Sequence, residues 1–155
     1  MNLHLLYNHI RPKAGDFETK RVIISEDENF ISDGKILFNR KFYYHAGLEK
    51  EVTLGKAQTI SNDSIKKVID VEDGTLVEVD TIVDISETLF PTVKILAKEG
   101  DETWKLNARL LSAFIHYLTD SNTKAQEFDL IVKYNKVTMV SKGGVVLASL
   151  GCLND

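Results

Sequence analysis

Between Thr103 and Asn122 the stretch TWKLNARLLSAFIHYLTDSN sets Leu110, Leu111, Phe114, Ile115 and Leu118 at spacings of three and four. That repeat places apolar side chains along one stripe of an α-helix. Asn107 stands where an N-cap is wanted, Arg109, Ser112 and His116 fall on the opposite side, and the polar DSNTK run ends the element. The pattern predicts one amphipathic helix over about 107–119.

Elsewhere the apolar positions alternate, with turn dipeptides between them. β-branched and aromatic runs predict strands near 20–25 and 35–44, with 29–32 leading into a hairpin turn at Asp33-Gly34. KEVTLGKAQTI reads as a further strand with Gly55 as a bulge. Asp73-Gly74 reads as a second hairpin turn, after which Leu76, Glu78 and Asp80 oppose Val77, Val79 and Thr81. TVKILAKEG is one more strand before the helix. In FDLIVKYNKVTMVSKGGVVLASLG three strands are separated by turns at Asn135-Lys136 and Gly143-Gly144, and Phe128, Leu130, Val132 and Tyr134 alternate onto a face that packs on the helical stripe. The expected fold is α+β and β-dominated, with antiparallel sheets, hairpins and one main helix on a C-terminal three-stranded meander. The expected unit is a single compact domain over 1–155, built from a strand-rich half, 1–91, and a strand-helix-meander half, 92–155.

Composition narrows the setting. A chain of 155 residues that is 43% hydrophobic and 27% charged, with two prolines, buries a core and is not disordered. The single cysteine, Cys152, forms no internal disulfide, and the opening MNLHLLYNHI reads as neither a secretory leader nor a membrane span, so a cytoplasmic protein without a membrane partner is expected.

Charge is distributed unevenly. Seven acids (Asp70, Glu72, Asp73, Glu78, Asp80, Asp84, Glu87) and no Lys or Arg lie between Val68 and Val93. Taking these seven from the 23 acids leaves 16 against 19 basic residues in the rest of the chain, so a net charge of -4 conceals a basic remainder. Such segregation fits a molecule that turns one face to an anion and another to water or to a basic partner. KILFNRKFYYH interleaves Lys35, Arg40, Lys41 and His45 with Phe38, Phe42, Tyr43 and Tyr44, a mixture that supplies phosphate neutralisation together with stacking.

No constellation for catalysis emerges. His4 and His9 have no cysteine pair to complete a zinc site, and they point to opposite faces of a strand. DVEDGTLVEVDTIVD lacks the alternating acids of a calcium loop. Gly143-Gly144 precedes a strand rather than the helix N-terminus that holds phosphate. Cys152 has no basic neighbour in sequence to activate it and reads as a small hydrophobe. A non-enzymatic protein with no metal and no cofactor is expected.

One longer segment, ETLFPTVKILAKEGDETWKLNARLLSAFIHYL, resembles the junction between consecutive domains of the bacterial polymerase sliding clamp. Phe90-Pro91, Lys94, Leu96, Lys98, Leu106, Leu110, Leu111 and Phe114 follow in the order of that family, FDLIVKYNKVTMVSKGGVVLA is similar to the strand run after its helix, and ISDGKILFNRKF echoes a strand with an Asp-Gly turn. Thr92 and Val93 depart from the family pattern, and 155 residues do not supply three tandem domains. The resemblance implies a reduced, viral type of relative that associates into a ring. It also implies DNA held without sequence preference by a helix whose polar side faces the duplex, with Lys105, Arg109, His116 and Lys124 as backbone contacts. Lys35, Arg40 and Lys41 are the basic candidates of the aromatic stretch. The alternative is a phage or defence-related interaction module whose acidic segment, 68–93, presents Glu78, Asp80, Asp84 and Glu87 to a protein partner. A small enzyme is the third reading.

Overall fold

The computed structural model describes residues 21–83, 92–117 and 128–153, with the side chains of 80–83, 114 and 115 left aside. Among the described residues ten strands join in one sheet: β1 (Ile23–Ser25), β2 (Phe30–Ser32), β3 (Ile36–Asn39), β4 (Gln58–Ile60), β5 (Thr75–Val83), β6 (Thr92–Ala97), β7 (Thr103–Asn107), β8 (Phe128–Lys133), β9 (Lys136–Ser141) and β10 (Val146–Gly151). Their order across the sheet is β4-β1-β2-β3-β10-β9-β8-β5-β6-β7. Neighbours are antiparallel except β4, which runs parallel to β1. Strands from 1–91 and from 92–155 therefore interleave: β3 pairs with β10, and β5 lies between β8 and β6.

Alternation decides the inner face. Paired residues share a face in a sheet, and the pairs Phe38 with Ala148, Ala148 with Met139, Leu130 with Met139, Val77 with Leu130, Val79 with Ile95 and Val93 with Leu106 run from β3 to β7 as a single buried layer. The predicted helix covers this layer as α3 (Ala108–His116), packed against β6, β7 and β10. Asn107 caps it as expected: its Oδ1 accepts from the backbone N–H of Arg109 at 3.0 Å and of Leu110 at 3.3 Å. The sheet curls far enough for the chain after β10 to reach β7. Leu153 donates its N–H to the Lys105 carbonyl at 2.8 Å, so residue 153 forms a seam between the two.

Two further helices are present, one overlapping the strand expected in KEVTLGKAQTI and one ahead of Asp73-Gly74, where no element was assigned. In α1 (Ala46–Thr53) the repeat that matters is Leu48 to Val52, four apart; Leu48 is fully buried and Val52 rests on the core. The His45 Nδ1 accepts from the Leu48 N–H at 3.2 Å, and Gly55 takes a left-handed φ of 71° just past the helix end. Gly55 is thus part of a helix exit rather than a bulge. In α2 (Asn62–Val68) the Ser61 hydroxyl caps the Ser64 N–H, and Ile65 is buried. The expectation of one main helix is corrected to three among the described residues.

Turns shift as well. Asp33-Gly34 joins β2 to β3 as expected, but Asp73-Gly74 follows α2 and leads into β5 instead of closing a hairpin. The β8–β9 turn is Tyr134-Asn135, one residue earlier than predicted, and both residues have positive φ. Tyr134 therefore leaves the predicted inner face and is 75% exposed. A Cβ at Gly74 would collide with the Ile131 Cγ2 and crowd the Val71 and Val132 carbonyls. Gly74→Ala is accordingly expected to cost about 1–3 kcal/mol, read as a lower midpoint in urea unfolding with an unchanged slope.

Candidate nucleic-acid interface

After β3 the chain doubles back. Asn39 accepts backbone bonds from Phe42 and Tyr43, at 3.0 and 3.1 Å, which turns the aromatic run onto the end of α3. The Phe38 ring, 1% exposed, stacks on Tyr43 with centroids 4.7 Å apart and lies 6.3 Å from Tyr117. Tyr43, buried, donates its hydroxyl to the Met139 sulfur at 3.2 Å. These two rings are core, as expected for strand aromatics. The next residue is different. Tyr44 donates its backbone N–H to the Tyr117 carbonyl at 3.0 Å while its side chain stays 58% exposed.

Tyr117 is the hub of this region. The His45 ring sits 4.8 Å from it, and the His116 ring meets it edge-on at 4.6 Å. Two basic groups far apart in sequence, the 35–45 stretch and the end of the helix, are thereby brought together. Nothing in the pattern of either segment announces that contact, and neither Tyr117 nor the pairing of His45 with His116 was foreseen.

The candidate basic residues divide by environment. Lys35 is exposed beside Gly34 in the β2–β3 turn, and Lys41 is exposed with its Nζ 5.8 Å from the Phe42 ring. His116 is exposed at the end of α3, and Lys105 is exposed on β7. Arg109 is half-buried at the start of α3. Arg40 has a structural role: it makes two bonds to Glu49, at 3.0 and 2.6 Å, and a third to the Glu28 carbonyl at 2.8 Å. That fork ties α1 to the β1–β2 turn. Ser112, expected on a polar helix side, is fully buried and donates to the Arg109 carbonyl. Among the described side chains of α3, Arg109 near its start and His116 at its end are the ones that reach the surface.

Lys124, Asp84 and Glu87 lie outside the described residues, as do His4, His9, Leu118 and Phe90-Pro91, and the side chains of Phe114, Ile115 and Asp80 are left aside. Glu78 is exposed on β5. Since β10, β9 and β8 stand between β3 and β5, four strand spacings of about 4.8 Å separate Glu78 from the 35–41 segment along the sheet.

Burial first, and the charge of His116 with it, holds the His45 imidazole below its ordinary value against the opposing pull of the Asp33 carboxylate and a backbone hydrogen bond. The fold prefers the neutral ring, whose Nδ1 must stay unprotonated to cap α1. A depressed histidine contributes its full stability above its unfolded pKa, about 6.5, and loses it as pH falls from there toward the lower native value. His45→Asn keeps a capping oxygen but cannot titrate. Between pH 7.5 and 5.5 the wild-type melting temperature is expected to drop further than that of His45→Asn, and parallel curves would remove the cap from the explanation.

Burial pushes the Cys152 thiol up to about 11, so it stays protonated and unreactive at neutral pH. Among the described residues no cluster of three His, Cys, Asp or Glu side chains is placed to hold a metal, and no helix is long and apolar enough to cross a membrane. Comparison of the chain with protein-family models, with curated proteins and with solved structures returned no match, so the interface rests on its own chemistry.

Proposed function

We propose that the protein is a non-enzymatic, DNA-associated accessory protein that holds the phosphate backbone without reading sequence. The observation that carries this reading is the Tyr44 to Tyr117 contact, which sets Tyr44 and His45 beside His116. Exposed lysines next to exposed aromatic surface neutralise phosphate and tolerate any base. The contact surface is the helix end with its neighbouring loop, not the length of the helix as the clamp resemblance implies. A clamp-like arrangement further requires several copies. Copies would pair through β4, three residues long and last in the order of the described strands, with Gln58 and Thr59 exposed.

Gel-shift titration at low salt on two duplexes of unrelated sequence tests the reading, with light scattering to give the oligomeric state. Equal affinity for both duplexes, weakened equally by Lys35→Gln with Lys41→Gln, is the expected result. Absence of binding by the wild type, or a strong preference for one sequence, rejects it.

A further inference from the structure

His45 joins three parts of the molecule at one ring. Its Nδ1 accepts the Leu48 N–H at 3.2 Å and so caps α1, and its ring lies 4.8 Å from that of Tyr117 at the end of α3. The residue before it, Tyr44, donates its backbone N–H to the Tyr117 carbonyl. α1 in turn carries Glu49, which accepts both bonds of the Arg40 fork. The cap requires a lone pair on Nδ1, so the neutral ring that makes it holds its proton on Nε2.

Among the described residues, two charged groups act on this ring from the elements around it. The Asp33 carboxylate, buried in the β2–β3 turn, attracts a protonated ring, and His116 on α3 opposes it. On α1 itself the acid of the first turn is Glu49, which is engaged by Arg40. A second proton, placed on Nδ1, makes both ring nitrogens donors. Nδ1–H then faces the Leu48 N–H, and the cap cannot persist. Leu48 is fully buried, so no water takes the place of the ring, and the start of α1 must shift to satisfy the N–H. The charged ring is drawn toward Asp33 instead.

We propose that His45 is a proton switch inside the interface: neutral, it caps α1 and rests on Tyr117; protonated, it turns to Asp33 and releases the start of α1 together with the Tyr44 to Tyr117 contact. The consequence for DNA rests on the function proposed above: acid loosens the surface that holds the duplex. A histidine that contacts phosphate directly does the reverse, because an imidazolium adds positive charge. The two roles therefore differ in sign. Since burial favours the neutral ring, the switch acts below the ordinary histidine value of about 6.5.

Two measurements at fixed ionic strength, at pH 7.5 and at about pH 5, test it with wild type, His45→Asn and His45→Ala. The first is hydrogen exchange of the Leu48 amide, corrected for the intrinsic effect of pH, with no DNA present. Protection in wild type is expected to fall about fivefold relative to His45→Asn, which keeps a cap that cannot titrate, while His45→Ala is unprotected at both pH values. The second is duplex affinity, taken as the ratio between the two pH values within each protein. His116 titrates in wild type and in His45→Asn alike, so the wild-type ratio should fall about fivefold below that of His45→Asn. Leu48 protection that follows pH identically in wild type and His45→Asn overturns the switch. A wild-type affinity ratio equal to or above that of His45→Asn overturns its coupling to binding and makes His45 a phosphate contact or a bystander. Wild type that binds no duplex at pH 7.5 rejects the DNA reading itself, and Leu48 alone then decides the switch.

Discussion

Truncation of Phe38 to alanine is expected to lower stability by about 3–5 kcal/mol. Phe38 is 1% exposed, and its ring is held between Tyr43 and the neighbourhood of Tyr117. The cavity cannot collapse easily, because its walls are strands paired on both sides, β2 and β10. The aromatic partners add to the loss, since a stacked pair contributes beyond its area. Urea unfolding checks the expectation, with Tyr44→Ala as its counterpart. Tyr44 follows directly on the same aromatic run, but its side chain is 58% exposed, and its truncation should change stability by about 0.5 kcal/mol at most. A Phe38→Ala midpoint equal to that of Tyr44→Ala would mean that the aromatic run does not close the core.

That contrast shows what the sequence makes legible. A period of two and the Asp33-Gly34 turn were sufficient to find β2 and the start of β3, although the strand expected to reach 44 ends at Asn39; the three-and-four spacing that starts at Leu110 and Leu111, with the Asn107 cap, was sufficient to find α3; and the meander of β8, β9 and β10 follows from its β-branched residues. The two short helices were missed for a definite reason. In α1 and α2 a single buried leucine or isoleucine anchors fewer than three turns, so neighbouring Val and Ile imitate alternation and only the caps, His45 and Ser61, signal a helix. The turn at Tyr134-Asn135 was misplaced because tyrosine is disfavoured at positive φ. The order of strands, and with it the meeting of Tyr44 with Tyr117, depends on pairings between distant segments that no local pattern encodes.

The candidate interface was legible by composition and not by geometry. Lys35 and Lys41 stand exposed in the stretch that their interleaving with aromatics singled out. Arg40, of the same charge and in the same stretch, is held by Glu49 and the Glu28 carbonyl, because its planar fork matches a carboxylate that α1 brings within reach. Charge in the sequence says which residues could meet phosphate, and only the fold says which are already engaged.

Backbone binding without sequence readout makes a steep dependence on salt the second large expectation. Each phosphate neutralised releases counterions and contributes about 0.9 to the magnitude of the log–log slope on duplex DNA. Lys35 and Lys41 together give a slope of about −1.8, which between 50 and 200 mM salt is roughly a twelvefold loss of affinity. Anisotropy titration of a labelled duplex across that salt range is the direct measurement. The account predicts a straight log–log line at least that steep, a line flattened by about 0.9 in Lys41→Gln, and the same values on a duplex of unrelated sequence. A wild-type affinity that does not change with salt, or a slope that Lys41→Gln leaves as it was, would contradict it.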